Sequence, residues 1–342
     1  MPTIKDVAQY TGLSIATISK YLNGGNVLES SRALIAEAID KLGYKVNYAA
    51  RSLKTNRTMM VGVLLPSLNV PFFSYICEMM ETRLKAEGYS LVLCSYYEDP
   101  KEEIEKLRFL TMQNVDGIVL VPQFIVADDI LQIPEIAERK TPLVLLDRTI
   151  PDFDGDRILA DNTSATYNAV EQFIIQGHKR IGFIIGPPEI STAYERKIGY
   201  ERVLIDYSIP MDPELIRVGD YSIASGYRAM NELLDLPNPP TAVMGTNYEM
   251  TMGAVMVTFE RKLRIPDDIS FIGYDEVQRT MINLPITTVL QPMADLARNT
   301  ADLLLKRMAG DYGAYPQVQR LKTELVLKPS IGKHTPVGSA YE

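Results

Sequence analysis

Four polar residues stand directly behind apolar runs: Asp147 after PLVLL, Asp161 after RILA, Asn247 after TAVMGT and Asp275 after ISFIGY. Asp brings paired acceptor oxygens and Asn one acceptor with two donors, the groups that hydroxyl-rich small molecules need. Each run reads as a strand, and polar groups at the carboxyl ends of parallel strands face the crevice where α/β sheets take ligands. Asp and Asn also favour helix N-caps, so both roles stay open at each position. Nucleophilic and phosphate chemistry finds no support, because GxSxG, GxGxxG behind a strand and GxxxxGK[ST] are all missing. His178 and His334 have no metal-ligand spacing to each other or to Cys77 and Cys94, which read as two buried, reduced thiols. The expectation is a binding protein without catalytic residues, metal or cofactor.

A different chemistry is written in TGLSIATISKYLN, residues 11–23. Ser14 can cap a short helix that turns Ile18, Tyr21 and Leu22 inward and leaves Ile15, Ala16, Thr17 and Lys20 outward; Ile15, three residues before Ile18, could instead be core. Ahead of it, Thr3 and Asp6 have the capping-box form, Ile4, Val7, Ala8 and Thr11 share a face, and Gly12 permits a turn. Two short helices joined this way are the helix-turn-helix plan, whose second helix enters the DNA major groove. A third helix, from about Ser31 to Leu42, offers Leu34, Ile35, Ala38, Ile39 and Leu42 as an inner stripe before Gly43 ends it. In VNYAARSLKTNRT, Asn47 can cap a fourth helix of about two turns, too short to persist alone. That segment is either a frayed linker or a wedge, with Leu53 between phosphate-seeking Arg51 and Lys54.

Charge separates these parts. Residues 1–58 carry eight Lys and Arg against four acids, a balance of +4, while the remainder stands at −12. A basic head before an acidic body points to nucleic acid for the head. With 342 residues, 46% of them hydrophobic, the chain exceeds one ordinary core. No stretch reaches the length of a membrane-spanning helix and the N-terminus lacks a signal-peptide pattern, so a cytoplasmic protein with no membrane partner is expected. From residue 60 on, candidate strands at 61–65, 91–94, 117–121, 143–146, 181–185, 242–245 and 269–273 alternate with amphipathic patterns such as 102–112 and 165–175. The fold class expected is α/β, with doubly wound parallel sheets in two similar lobes.

TIKDVAQYTGLSIATISKYLN, LGYKVNYAARSLKTNRT, VGVLLP, PFF, VDGIVLVP, LLDR, DN, GHKRIGFIIGPP, SGYRAM, NPPTAV, RIPDDISFIGYDE and TTVLQP are collinear from Thr3 to about Ser330 and together resemble the LacI/GalR family of bacterial transcriptional repressors. The resemblance implies a helix-turn-helix domain at 1–46, a hinge helix and linker at 47–59, a periplasmic-binding-protein-like body at 60–330 and a tail at 331–342. Lobe one would hold about 60–160 and 292–321, and lobe two about 161–291 and 322–330, with crossings near Ala160, Gln291 and Leu321.

For DNA, the resemblance implies contacts from Thr3, Ser14, Ile15, Ala16, Thr17, Ser19, Lys20 and Asn23 in the head. Tyr44, Asn47, Ala50, Leu53 and Lys54 would serve at and near the hinge. For a small effector it implies Arg196, Asn247 and Asp275 as hydrogen-bonding groups, joined by the strand-end Asp147 and Asp161. Phe72 and Phe73 would cover a sugar ring, though either could be core; Tyr221, Thr192 and Gln291 would complete the pocket. The purine-responsive branch has a further Arg where this chain has Ile190, so a sugar or sugar derivative is preferred. A non-sugar metabolite, a protein corepressor, or a cytoplasmic sugar-binding protein without an operator are the alternatives. Partners implied are a pseudo-palindromic operator, the effector and a second copy, as a homodimer; either sign of response is allowed. Departures are Val46 where Pro is usual, Lys20 where Arg is common, and Lys328-Pro329-Ser330 near the C-terminus.

Overall fold

A computed structural model describes residues 2–22, 24–45, 57–97, 99–138, 140–275 and 285–334. The chain divides into two compact units, Met1–Met59 and Met60–Glu342. The first holds α1 (Ile4–Thr11), α2 (Ile15–Leu22) and α3 (Glu29–Leu42). Val7, Ile18, Ile35 and Ala38 are fully buried at its centre, ringed by half-buried Ile4, Ala8, Leu13, Tyr21, Leu22, Ile39, Leu42 and Tyr44. Gly12 and Gly43 end α1 and α3 at φ of 66° and 59°, where a Cβ is penalised. One expected core position moves: Leu34 is exposed, because the buried side of α3 is centred on Ile35 and Ala38. The hinge helix, with Asn47, Ala50, Leu53 and Lys54, and Asn23 lie outside the described residues.

The second unit is built on two six-stranded sheets. The first runs in the order Val318–Leu321 (β11), Asp156–Ala160 (β5), Leu143–Leu146 (β4), Gly117–Leu120 (β3), Met60–Leu65 (β1), Ser90–Ser95 (β2), all parallel. The second runs Glu324–Val326 (β12), Thr287–Leu290 (β10), Ser270–Tyr274 (β9), Ala242–Gly245 (β8), Ile181–Ile185 (β6), Ile216–Val218 (β7), with only β12 antiparallel. Around the first sheet lie α4 (Pro71–Lys85), α5 (Pro100–Met112), α6 (Ala127–Leu131), α7 (Pro134–Ala137) and α12 (Met293–Met308). Around the second lie α8 (Asn162–Ile175), α9 (Ser191–Asp206), α10 (Ile223–Leu234) and α11 (Tyr248–Glu260). β1, β3 and β4 are almost wholly buried Val, Ile and Leu, as parallel strands covered on both faces must be.

The chain passes between the sheets after Ala160, after Leu290 and between Leu321 and Glu324. The first lobe therefore takes α12 and its edge strand β11 from chain that follows all of the second lobe except β12. α10 and α11 pack at backbone contact: a Cβ on Gly253 would lie 2.0 Å from the Ile223 carbonyl oxygen. All seven candidate strands form, the RILA run is β5, and among the described residues four further strands, β7, β10, β11 and β12, join them. Cys77 is buried, with its thiol pushed up to about 11 by desolvation, while Cys94 is only half-buried. His178 is a buried structural residue: Nδ1 lies 2.8 Å from Thr241 Oγ1 and Nε2 2.9 Å from Ser270 Oγ, and the ring stacks on His334. Among the described residues no group of side chains could hold a metal, and no helix is long and apolar enough to cross a membrane.

Candidate functional site

In the head, Ser14 caps α2, its Oγ accepting the Thr17 amide at 3.1 Å and sitting 2.9 Å from Thr17 Oγ1. Ile15, 41% exposed, is a surface residue and not core; Ala16 and Lys20 are exposed beside it, and Thr17 and Ser19 are half-buried. α2 thus presents methyl groups, the half-buried hydroxyls of Thr17 and Ser19, and one ammonium. Thr3 donates its amide and its hydroxyl to Asp6 Oδ2 at 2.7 and 2.8 Å, and those bonds hold the Asp6 carboxyl below its ordinary range. Tyr44 packs against the core from the end of α3.

In the body, a cleft of about 820 Å³ opens where both sheets end, walled by the first turns of α4, α9, α11 and α12. Nine of the ten expected effector residues line it: Phe72, Phe73, Asp147, Thr192, Arg196, Tyr221, Asn247, Asp275 and Gln291. Asp161 does not. It caps α8, its Oδ1 accepting the Ser164 amide at 3.1 Å. The inward residue at this crossing is its neighbour, Asn162, fully buried, which receives Arg196 Nε at 2.9 Å and the Tyr274 hydroxyl at 3.1 Å on one oxygen. Its amide donates to Glu195 Oε2 at 3.1 Å, and Glu195 in turn meets Arg320 of β11 at 2.8 Å across the lobes. Arg196 spends a further donor on the Thr246 carbonyl and lies 3.9 Å over the Tyr274 ring, so it is a braced cation and not an open fork.

The aspartates are held differently. Asp147, Tyr221 and Asp275 all adopt left-handed backbone, at φ of 65°, 64° and 59°. Such strain costs about 1 kcal/mol or more per residue and gathers where function needs it. Asp275 accepts Gln291 Nε2 at 2.8 Å and the Gln291 amide at 3.3 Å. Burial pushes its carboxyl up to about 6, against the pull of Gln291 and Arg196. Asp147 is raised by burial too, opposed by Arg148 and Arg196, and Glu249 is raised by burial with Asp275 adding to it. Asn247 caps α11 through Oδ1 and donates Nδ2 to the Tyr221 carbonyl at 3.1 Å and to Glu249. Asn247 therefore caps a helix and lines the cleft at once.

Arg148 is a wall residue that the sequence did not single out. Its guanidinium lies 6.0 Å from the Phe73 ring and 5.9 Å from the Tyr221 ring, and Nη1 donates to Gln123 Oε1 at 2.9 Å. The Gln123 loop is itself tied down by Glu103, whose buried carboxylate accepts the amides of Gln123, Phe124 and Ile125. The signal was present: Glu103 stands in line with Leu107, Leu110 and Thr111 on the buried face of α5. Six buried side-chain polar atoms have no hydrogen-bond partner among the described residues; Ser95 Oγ, Arg157 Nε and Thr166 Oγ1 lie away from the cleft, and the other three are Asp147 Oδ1, Arg148 Nε and Gln291 Oε1. These last three belong to cleft-lining residues. Tyr221 owes its place to Gly186, where a Cβ would fall 2.1 Å from the tyrosine ring.

Residues 58–320 match the family of periplasmic binding proteins and sugar-binding domains of the LacI family, and residues 3–47 match the bacterial regulatory proteins of the lacI family. The chain belongs to the LacI family. The HTH-type transcriptional repressor PurR of Actinobacillus pleuropneumoniae serotype 3 is 32% identical over 97% of this chain and 98% of its own length. The repressor CytR of Escherichia coli K12 is 32% identical over 91% of each chain. Among solved structures, the lac repressor dimer bound to operator and the anti-inducer ONPF superposes with a TM-score of 0.85 at 26% identity, covering 97% of this chain and 99% of that one. The transcriptional regulator CelR in complex with cellobiose gives 0.71 at 30% identity, covering 96% of this chain and all of that one. These LacI-family relatives are transcriptional regulators and not enzymes.

Proposed function

We infer that this LacI-family chain is a sequence-specific repressor whose operator affinity is set by a sugar or sugar-derived effector held in the cleft. One observation carries the reading: aromatic rings and unsatisfied hydrogen-bonding atoms share the same wall. A sugar has an apolar C–H face and a rim of hydroxyls, and Phe72, Phe73 and Tyr221 suit the first while Asp147, Arg148 and Gln291 suit the second. Ile190, 2% exposed in the second lobe's core, brings no cation to that wall. The CelR structure, by its description a cellobiose complex, supports the same class.

The head acts on DNA in pairs, since one short helix touches too few bases for useful specificity and two heads on a two-fold axis read a pseudo-palindrome. With Ile15 and Ala16 outermost, α2 reads thymine methyls and groove shape more than hydrogen-bond patterns, and Leu53 adds a wedge. A lobe movement on effector binding alters the hinge segments and with them operator affinity. The test is a thermal-shift screen over sugars, sugar phosphates and sugar acids, followed by operator binding with the hit. Failure to protect any palindrome in a salt-sensitive manner would sink the repressor reading.

A further inference from the structure

The charges around the cleft are unevenly divided. Among the described lining residues there are five carboxylates, Glu78, Asp147, Glu249, Asp275 and Asp295, and two cations, Arg148 and Arg196. Arg196 is engaged and Arg148 partly so, its buried Nε lacking a hydrogen-bond partner among the described residues. Arg196 is bonded to Asn162 and Thr246, with Asp147 and Asp275 acting on its charge, and Arg148 is bonded to Gln123 with its Nε 3.8 Å from Asp147 Oδ2. Asp295 pairs with Arg298, outside the lining, while Glu249 is met by the side-chain amide of Asn247 and a backbone N–H and by no cation that lines the cleft among the described residues. We propose that the effector is an uncharged, unphosphorylated polyhydroxy compound, and that the cleft rejects the phosphorylated or carboxylated form of the same molecule.

The proposal rests on the sugar reading and narrows it. An anion brought against Asp147, Glu249 and Asp275 would have to be desolvated beside like charges, with Arg196 spent on Asn162 and Thr246 and only the Arg148 Nε, itself beside Asp147, left to receive it. Recognition of phosphate uses the opposite arrangement, a bidentate Arg or Lys facing the anion. Neutral hydroxyls, by contrast, donate to the spare oxygens of Asp147 and Gln291 and accept from Arg148 Nε. The contrary case is specific: α4 and α9 start at the cleft with no side-chain cap, at Val70 and Ile190, and open first turns attract anions. At the other two helices the first turn is already acidic, with Glu249 in α11 and Asp295 in α12.

The experiment titrates the full-length protein, in thermal shift and calorimetry, with matched pairs: glucose and glucose 6-phosphate, galactose and galactose 1-phosphate, fructose and fructose 1-phosphate, cellobiose and cellobionate, uridine and uridine monophosphate. The expected result is that one neutral member raises the melting temperature and its charged twin binds at least 100-fold more weakly at the same ionic strength. A larger shift from a sugar phosphate or sugar acid overturns the charge argument and leaves the sugar reading standing. A hit from the nucleoside without its nucleotide overturns the sugar reading and leaves the charge argument standing. A panel without any hit overturns both.

Discussion

Replacing Asp275 by Asn gives a test that needs no effector. The Asp275 carboxyl is displaced from 3.8 to about 6 because burial outweighs Gln291 and Arg196. At 1.36 kcal/mol per pH unit that displacement is worth about 3 kcal/mol, reduced to about 2 kcal/mol where cleft water reaches the group. The sign follows from linkage. A carboxyl whose folded value is raised contributes stability that is complete below 3.8 and is lost as pH rises through about 6. At pH 7.5 the native protein therefore carries an unfavourable ionised group that Asn lacks. Asn tolerates the left-handed backbone at φ of 59° and still accepts the Gln291 amide. Rotation of the Gln291 amide turns Oε1, which has no partner, toward the new Nδ2. Asp275→Asn should raise the melting temperature of the effector-free body by about 4–6 °C at pH 7.5, shrinking to about half of that at pH 5. Calorimetric scans of both proteins from pH 5 to 8 measure it. A difference of constant size across that range, or a variant less stable at pH 7.5, would refute the argument that burial dominates this carboxyl.

Asn162→Ala leaves Arg196 Nε and the Tyr274 hydroxyl without their acceptor, and should cost about 3 kcal/mol in a denaturant melt as well as most of the effector-induced thermal shift. A loss below about 0.5 kcal/mol would show that these groups find another partner. Gly186→Ala displaces the far end of the Tyr221 side chain, so the melting temperature should change by no more than about 2 °C while effector affinity falls about tenfold or more, read by calorimetry. Leu53→Ala should weaken operator binding by about 1–2 kcal/mol, with effector binding unchanged; unaltered operator affinity would remove the wedge. Lys20→Ala should lower the slope of log affinity against log salt by about 1 if Lys20 neutralises a phosphate, and an unchanged slope assigns it elsewhere.

The strands legible in the sequence are those whose environment is uniform. PLVLL and IGFII are covered on both faces, and nothing but a buried parallel strand accommodates them. β11 and β12 read as VQRL and ELV because each lies at the edge of its sheet, with Val318, Arg320 and Glu324 exposed and the rest half-buried, and runs this short and mixed carry no period. The cleft was legible through strand ends, since topology places residues such as Asp147 and Asp275 together. What was not legible is which of two adjacent polar residues turns inward. At the first crossing Asp161 finds the backbone of α8 and Asn162 finds Arg196, a choice made by contacts 34 residues apart in the chain. Arg148 was hidden for the same reason, because the rings that flank it come from α4 and from the turn before α10.

The crossings also dictate when the body can fold. The first lobe's sheet is not complete until β11 pairs with β5, and its α4, which meets β2 early, lacks its main helical partner until α12 arrives, after all of the second lobe but β12 has been made. The second sheet waits in turn for β12. During synthesis, then, neither half becomes a finished folding unit while the ribosome is still adding residues before about 320. A nascent chain cut at residue 290 should be an aggregation-prone intermediate and not a stable lobe, so a cell making this repressor has to keep it from premature collapse until nearly all of it has emerged.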